Sequence, residues 1–255
     1  MSENLGVWLE EGGALLRLRL ARPKANIIDA AMIAALDAAL SDHLPRAGLR
    51  GVLVDAEGPH FSFGASVEEH LPASCAAMLE SLHALLLRLL ASPVPVLFAV
   101  RGQCLGGGLE LCLAGTLIFA APDARFGQPE IRLGVFAPFA SAILPERIPR
   151  AAAEELLLSG RSLTAEEARS AGLVTQLADD PEAAALAWFT ANLADKSAAA
   201  LRFALLAARL DVVERVRERL ARLERLYLAE LMSTHDAREG LDAFLARRPA
   251  QWEHR

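Results

Sequence analysis

The sequence has no excess of positive charge and no long uninterrupted apolar run. Its formal net charge of −6 leaves no basic footprint for nucleic acid. No apolar run reaches the roughly eighteen residues that a membrane span needs. The polar, acidic start, MSENLGVWLEEGG, has neither the basic nor the apolar part of a signal peptide. We therefore expect a cytoplasmic protein that binds neither nucleic acid nor a membrane.

Cysteine is also scarce, and the three thiols, Cys75, Cys104 and Cys112, lack the spacing of a zinc site. Cys104 and Cys112 have apolar neighbours, which is typical of small core residues. We expect reduced thiols and no bound metal. Apolar residues, in contrast, are abundant and make up 53% of the 255 positions. This length predicts one large domain, or one domain with a smaller appendage.

The first half of the chain alternates strand-like and helix-like segments. The predicted elements are a hairpin over 6–21, a helix over 29–44, a strand over 50–57, a helix over 74–91 and strands over 95–101 and 116–122. Strands that alternate with helices predict βαβ units around a mainly parallel sheet. From about residue 138 onward the pattern predicts almost only helix.

Two helical signals in the second half are specific. TAEEARSAGLV, residues 164–174, has the capping box Thr164 with Glu167 and a terminating Gly172. Residues 211–231 form a long amphipathic segment. Its apolar stripe repeats at intervals of three or four residues through Val213, Val216, Leu220, Leu223 and Tyr227. Either this stripe faces the core of its own chain, or it packs on another subunit.

The segment RGQCLGGGLE, residues 101–110, places three glycines beside a lone acid, Glu110. Its apolar surroundings predict that this carboxyl is buried, which is costly unless the group is paired or neutralised. Successive glycines at a helix N-terminus could bind a phosphate or an oxygen that becomes anionic. The Walker lysine and the dinucleotide spacing are absent, so the oxyanion function is favoured. A tight turn without a ligand is the structural alternative.

Two more loops follow predicted strands and carry polar groups. ARFGQPEIRLGVFAP, residues 124–138, holds Glu130, and GPHFSFGASVEEH, residues 58–70, is rich in Gly and Ser. The carboxyl ends of parallel strands lie at the same end of a sheet, so the three loops are expected to converge there. An ionised acid that activates water and a protonated acid that delivers a proton suit chemistry beside a thioester carbonyl. Each Glu alone could also be a structural carboxylate.

These segments carry a family resemblance. RGQCLGGGLEL and ARFGQPEIRLG resemble the two signature segments of the crotonase superfamily, the enoyl-CoA hydratase and isomerase family. FSFGAS is similar to its third segment, and RPKANIID to its CoA-contacting loop. The resemblance extends to the ending EGLDAFLARRPAQW. It implies an α/β core, a spiral of ββα units with the thioester site, over 1–195. It also implies a C-terminal helical region over 196–255 that forms homotrimers or homohexamers.

Site residues also follow from the resemblance. It implies an oxyanion hole made by the backbone N–H groups of Ala65 and Gly107, and catalytic acids Glu110 and Glu130. Having both acids favours a hydratase. CoA and substrate contacts are assigned to Lys24, Ala25, Asn26, Ser66, Val67, Phe136, Pro138 and Phe139. No cofactor is implied, because coenzyme A is part of the substrate.

The sequence also departs from the family pattern. Ser66 stands where the family usually has Asp, and FAPFASAIL replaces a Gly-rich run after the second acid. Phe136, Pro138 and Phe139 are therefore expected to narrow the pocket.

RPKANIIDAAMI, EGPHFSFGAS and GQPEIRLGVFAP together resemble one branch of the family, which acts in anaerobic benzoyl-CoA degradation. It implies 1,4-addition of water to cyclohexa-1,5-diene-1-carbonyl-CoA, giving 6-hydroxycyclohex-1-ene-1-carbonyl-CoA. The alternatives are a general short-chain enoyl-CoA hydratase and a non-catalytic binding protein of the same fold. Sequence leaves open which Glu is the base, and whether His60 contacts substrate or only shapes its loop.

Overall fold

Two sheets and a set of helices make up the computed structural model, which describes residues 4–255. The strands are β1 (Leu5–Glu10), β2 (Leu15–Leu20), β3 (Gly51–Ala56), β4 (Val96–Val100), β5 (Gln103–Leu105), β6 (Leu117–Ala120), β7 (Arg125–Gly127), β8 (Ser162–Thr164) and β9 (Gln176–Leu177). The α-helices are α1 (Ala30–His43), α2 (Cys75–Leu90), α3 (Gly107–Ala114), α4 (Pro138–Arg147), α5 (Arg150–Ser159), α6 (Ala165–Ser170), α7 (Pro181–Asn192), α8 (Ala198–Arg225) and α9 (His235–Leu245).

The larger sheet has the strand order β1-β2-β3-β4-β6-β9. Strands β1 and β2 form the predicted antiparallel hairpin, and every other neighbouring pair in this sheet is parallel. The smaller sheet has the order β5-β7-β8. The mainly parallel sheet and the alternation of strands with helices are therefore confirmed.

A repeating unit links the two sheets. Strand β4 of the larger sheet is followed by β5 of the smaller sheet and then by α3, and β6 is followed in the same way by β7 and α4. After β3, an isolated bridge between Ser62 and Cys104 takes the place of the short strand before α2. This repeat is the α/β spiral of ββα units that the resemblance implies. Each turn of the spiral ends in a loop before a helix, and these loops form the site.

The parallel strands are buried on both faces. Alternate side chains point to opposite sides of a strand, so Val52 and Val96 pack in the main core, whereas Leu53 and Leu97 pack against α7 with Phe119. The near-continuous apolar runs of β3 and β4 follow from this two-sided burial.

Four short strands were not predicted. Strands β5 and β7 lie inside the segments that sequence analysis treated as loops, and β8 and β9 lie in the half expected to be almost only helical. Each has two or three residues, which is too short to show the alternation that identifies a strand. The glycine segment consequently follows β5, not the longer β4.

The capping box on α6 is confirmed. The Thr164 hydroxyl accepts from the Glu167 amide at 3.2 Å, and the Glu167 carboxylate accepts from the Thr164 amide at 2.7 Å. Cys104 and Cys112 are buried, as predicted, and Cys75 is buried as well; all three are free thiols.

Helix α8 begins thirteen residues before the predicted amphipathic segment and has 28 residues. From its stripe and the turn that follows, Val216, Leu220 and Tyr227 are buried in the main core. Its first half instead leaves Phe203, Leu206 and Leu210 exposed. The stripe therefore faces the core of its own chain, because Val213 and Leu223 also pack against that core. The exposed residues precede the stripe and were not part of that prediction. Within residues 4–255, no helix combines the length and the apolarity needed to cross a membrane.

Candidate active site

The three loops predicted to converge line one cavity of about 660 Å³. The segment after β3 contributes Gly64 to Val67, β5 and the glycine turn contribute Leu105 and Gly106, and the segment after β7 contributes Pro129 and Glu130. Phe244 of α9 also lines the cavity and is exposed. Residues of all three loops, including the acid Glu130, therefore line one space.

The backbones at Ala65 and Gly107 approach each other closely. A Cβ atom on Gly107 would lie 3.1 Å from the Ala65 nitrogen, and one on Gly64 would lie 3.0 Å from the Leu105 carbonyl oxygen. Within residues 4–255, neither the Ala65 nor the Gly107 amide donates to another protein group. Gly107 opens α3, where amides are free and the helix dipole is positive. Two free donors side by side are the geometry of an oxyanion hole.

Hydrogen bonds between the loops hold these donors in place. The amide of Ile28 donates to the Gly64 carbonyl at 2.9 Å, and the Ser62 hydroxyl donates to the Asn26 carbonyl at 2.8 Å. The Asn26 side chain is fully buried and donates to the carbonyls of Glu57 and His60, each at 3.0 Å. Asn26 therefore joins the loops through its side chain and its carbonyl, and its amide donates to the Arg22 carbonyl at 2.9 Å.

Glu110 is buried at 4% exposure on α3. Its Oε1 accepts from the backbone N–H of Ala140 at 2.8 Å, in the first turn of α4. Burial raises the pKa of Glu110 above its ordinary value, and the nearby His83 and the amides of Ala140 and Phe139 offset only part of that rise. The positive end of α4 thus favours the ionised carboxylate.

Glu130 follows Pro129 in a short 3-10 turn and lines the cavity. Burial, and then the charge of Glu110, raises the pKa of Glu130 to about 8. Gly106 has φ +50°, and a Cβ atom there would lie 2.7 Å from Glu130 Oε1, so this position requires glycine. The two acids therefore have different surroundings, and a pKa of about 8 favours the protonated form of Glu130 near pH 7.

Gln128 is buried beside Glu130 and can hydrogen-bond to either charge state of it. Turned one way, the Gln128 amide donates to the Gly106 carbonyl at 3.4 Å. Turned the other way, it donates to both carboxylate oxygens of Glu130, at 3.0 Å each. In the first orientation the Gln128 amide oxygen faces Glu130 and can accept a hydrogen bond from its protonated carboxyl group.

Two side chains from α2 and the end of α8 reach the same region. The His83 Nδ1–H contacts Glu224 Oε1 at 2.6 Å, and its buried Nε2 has no partner in residues 4–255. The Tyr227 ring packs edge to face on Phe136, with 5.4 Å between the ring centroids. No sequence pattern predicted a function for Gln128 or His83, and the pattern around Tyr227 predicted only an apolar helix face. A lone histidine among the leucines of α2 was an available signal.

The remaining predicted residues lie in several environments. Ser66 and Val67 line the cavity, while Lys24 is exposed and Ala25 is half-buried. Phe136, Pro138 and Phe139 do not line the cavity. The Phe139 side chain is fully buried, and Phe139 interacts with Glu110 through its backbone N–H. His60 accepts from the Gln103 amide at 3.2 Å and does not line the cavity.

No group of three or more His, Cys, Asp or Glu side chains converges as a metal site would anywhere in residues 4–255.

Comparisons with known proteins show which family this chain resembles. The enoyl-CoA hydratase/isomerase family model matches residues 10–255. A cyclohexa-1,5-dienecarbonyl-CoA hydratase of Thauera aromatica is 63% identical over 254 residues, which is 100% of this chain and 98% of that protein. A probable enoyl-CoA hydratase of Bacillus subtilis is 33% identical over 92% of this chain and 94% of its own. The solved structure of an enoyl-CoA hydratase from Mycobacterium avium matches with a TM-score of 0.87 at 27% identity, covering 99% of this chain and 100% of the other. The chain belongs to the enoyl-CoA hydratase/isomerase family.

Proposed function

We propose that this enzyme hydrates cyclohexa-1,5-diene-1-carbonyl-CoA by 1,4-addition of water. The observation that carries the choice of substrate is the 63% identity, along the whole chain, to the Thauera aromatica hydratase. The pair of free amides next to two unlike carboxyls supports the chemistry. The reaction consumes only water and the thioester, so the mechanism requires no cofactor beyond the coenzyme A of the substrate.

The oxyanion hole acts on the thioester. Its carbonyl oxygen accepts hydrogen bonds from the Ala65 and Gly107 amides, which are preorganised by the loop contacts. As hydroxide adds to C2 of the ring, negative charge moves to this oxygen and spreads over the dienolate C1, C6 and C5. Donors already aimed at that oxygen lower the barrier, by about 3–4 kcal/mol for one donor in other enzymes.

The two acids divide the proton transfers. Ionised Glu110 takes a proton from the attacking water, and protonated Glu130 gives one to C5, across the ring from C2. The bonds C1=C2 and C5=C6 are replaced by C1=C6, with O–H on C2 and a new C–H on C5. Glu110 ends protonated and Glu130 ends ionised, so one proton exchange restores the pair. In its turned orientation, the Gln128 amide stabilises the new Glu130 carboxylate.

Substrate binding is divided between the loops in this proposal. Ser66 and Val67 line the cavity and contact the thioester arm, and the exposed Lys24 and half-buried Ala25 contact the CoA. The buried Asn26 serves CoA binding by holding their loop in place. Phe136 limits the ring end of the site through its contact with Tyr227. Pro138 and Phe139 act one layer behind the site, by fixing the start of α4.

We also propose that the chain has two regions. The α/β core, residues 1–195, holds the loops of the site, and the C-terminal helical region, residues 196–255, holds α8. The exposed α8 surface formed by Phe203, Leu206 and Leu210 borders a groove of about 400 Å³ against the end of α2. Large exposed apolar patches mark protein contacts. We propose that this surface packs in a homotrimer or homohexamer. The proposed location is the cytoplasm, where unpaired thiols such as Cys75, Cys104 and Cys112 are the usual state.

Hydration in D₂O tests the reaction directly. The wild-type protein is incubated with the cyclic dienoyl-CoA, and the product is identified by mass and by NMR. The proposal predicts a single hydration product with deuterium on the ring carbon opposite the one that bears the hydroxyl. Deuterium on the carbon adjacent to the hydroxyl would contradict 1,4-addition. No hydration of the diene, with hydration of crotonyl-CoA, would support the general enoyl-CoA hydratase instead.

A further inference from the structure

Tyr227 is the only tyrosine of the chain and is buried at 1% exposure. The Cys75 thiol lies beside its hydroxyl, but no group within residues 4–255 forms a hydrogen bond of standard geometry with it. An unpaired buried hydroxyl loses its hydration without compensation, so such groups are rare in native proteins. A group of this kind indicates a water molecule or a ligand that completes it.

The ring contact of Tyr227 connects it with the segment that follows Glu130. The Tyr227 ring packs edge to face on Phe136, which lies between Glu130 and α4 along the chain. Burial raises the pKa of Tyr227 above its ordinary range, and the neighbouring Cys75 thiol and the charges of Glu130 and Glu110 raise it further. The hydroxyl therefore remains a neutral hydrogen-bond donor near pH 7.

The backbone at this position is irregular. Immediately after α8, Leu226–Glu230 form a π-helical turn, and Tyr227 is its second residue. π turns inside longer helices are rare and are frequent at functional sites, because they change the direction in which side chains point. This turn therefore sets the direction in which the Tyr227 side chain points.

From this arrangement we propose that the Tyr227 hydroxyl donates a hydrogen bond to the nucleophilic water, and to the ring hydroxyl of the product, beside Glu110 and Glu130. The inference rests on the proposed hydration and adds a third polar group to it. A buried water needs two to four polar partners. Ionised Glu110 can only accept a hydrogen bond from the water, so the lone pairs of the water oxygen still need a donor. A donor on that oxygen orients the water for attack, and in the reverse direction it assists the departing hydroxide.

The variant Tyr227→Phe tests the proposal, because it keeps the ring on Phe136 and removes only the hydroxyl. Binding is measured for 6-hydroxycyclohex-1-ene-1-carbonyl-CoA and for cyclohex-1-ene-1-carbonyl-CoA, which has the same ring without the hydroxyl. We expect the first affinity to fall roughly 3- to 10-fold, the worth of one hydrogen bond, and the second to stay within about twofold. Hydration kcat should fall about 10-fold.

Phe136→Leu is the matched control, since it disturbs the aromatic packing and leaves the hydroxyl in place. It should weaken both ligands alike. If Tyr227→Phe also weakens both alike, or weakens neither, the hydroxyl does not contact the reacting oxygen and the proposal fails.

A different result identifies failure of the proposed substrate. If the wild type does not hydrate the ring diene, the same variants are compared on 3-hydroxybutyryl-CoA and butyryl-CoA, again a pair that differs by one hydroxyl. A selective loss for the hydroxylated ligand would keep the Tyr227 proposal and reject only the ring substrate. An equal or absent loss would reject the tyrosine contact as well.

Discussion

At the scale of single residues, the same carboxyl side chain has two different environments. Glu110 accepts a backbone N–H at the start of α4, whereas Glu130 lies in a desolvated place beside the charge of Glu110. Like charges at short range do not ionise together, so one proton is retained by the pair near pH 7. General acid–base catalysis across a diene needs one ionised and one protonated group, and the environments supply both.

The acid pair predicts the effect of charge removal. Glu110→Gln and Glu130→Gln keep the shape of the side chain but can neither take nor give a proton. Each should slow hydration by roughly 10²–10⁴-fold. Because both act in one sequence of transfers, the double variant should lose much less than the product of the two single losses. Steady-state kinetics on the three variants, with CoA binding as the control, checks this, and full activity in either single variant would refute the two-carboxylate mechanism.

The raised pKa of Glu130 also predicts a pH-dependent cost in stability. Between its unfolded value of 4.5 and the folded value of about 8, the native state holds a proton that the unfolded state has released. Stability contributed by the neutral group is therefore complete below pH 4.5 and is lost as pH rises through 8. Glu130→Gln should match the wild-type Tm near pH 4 and exceed it increasingly toward pH 9.

Thermal unfolding between pH 4 and pH 9 measures this difference. Glu218→Gln, which alters an exposed carboxyl of α8, is the control. A constant difference between Glu130→Gln and the wild type over this range would show that Glu130 is not held neutral in the folded protein.

Residue-level prediction from sequence worked where local pattern decides the environment. The apolar neighbours of Glu110 are sufficient to predict its burial, and the structure confirms it. The environment of Gln128, His83 and Tyr227 depends on contacts between segments that are distant in sequence. Periodicity predicts which face of an element is buried, but not these contacts. Asn26 shows the same limit, because its motif predicts a ligand contact while its side chain is occupied by two loop carbonyls.

At the scale of elements, the site depends on where short strands end. Strands β5 and β7 pair in parallel, so the glycine turn and the Glu130 turn leave the smaller sheet at the same edge. The longer elements were predictable because their periodicity extends over several residues, as in α1, α2 and β3. The short strands were not, although they position the loops.

The N-terminus of α3 gives an element-scale prediction. Gly107→Pro removes one of the two free amides at a helical position that tolerates proline. Turnover should fall by roughly 10²–10³-fold, as for one oxyanion donor in other enzymes. Gly107→Ala is the matched control, because it adds a Cβ atom 3.1 Å from the Ala65 nitrogen and keeps the N–H. It should lose less activity than the proline variant. Near-normal turnover in a folded Gly107→Pro protein would remove Gly107 from the site.

At the scale of the whole molecule, the exposed apolar surface of α8 predicts assembly. Light scattering at micromolar concentration should give three or six times the 27.3 kDa chain mass. Leu206→Glu should lower the mass, because a charge in an apolar contact is costly to bury. Leu158→Glu, at another exposed leucine on α5, is the control and should leave the assembly intact. A monomer in the wild type would contradict the proposed interface.

The most direct test of the account compares two substrates on one enzyme. The value of kcat/KM is measured for cyclohexa-1,5-diene-1-carbonyl-CoA and for crotonyl-CoA under identical conditions. We predict that kcat/KM is at least roughly tenfold higher for the ring diene than for crotonyl-CoA, which is the size of discrimination that pocket shape alone can supply. Equal values, or a preference for crotonyl-CoA, would contradict the assignment to the ring diene.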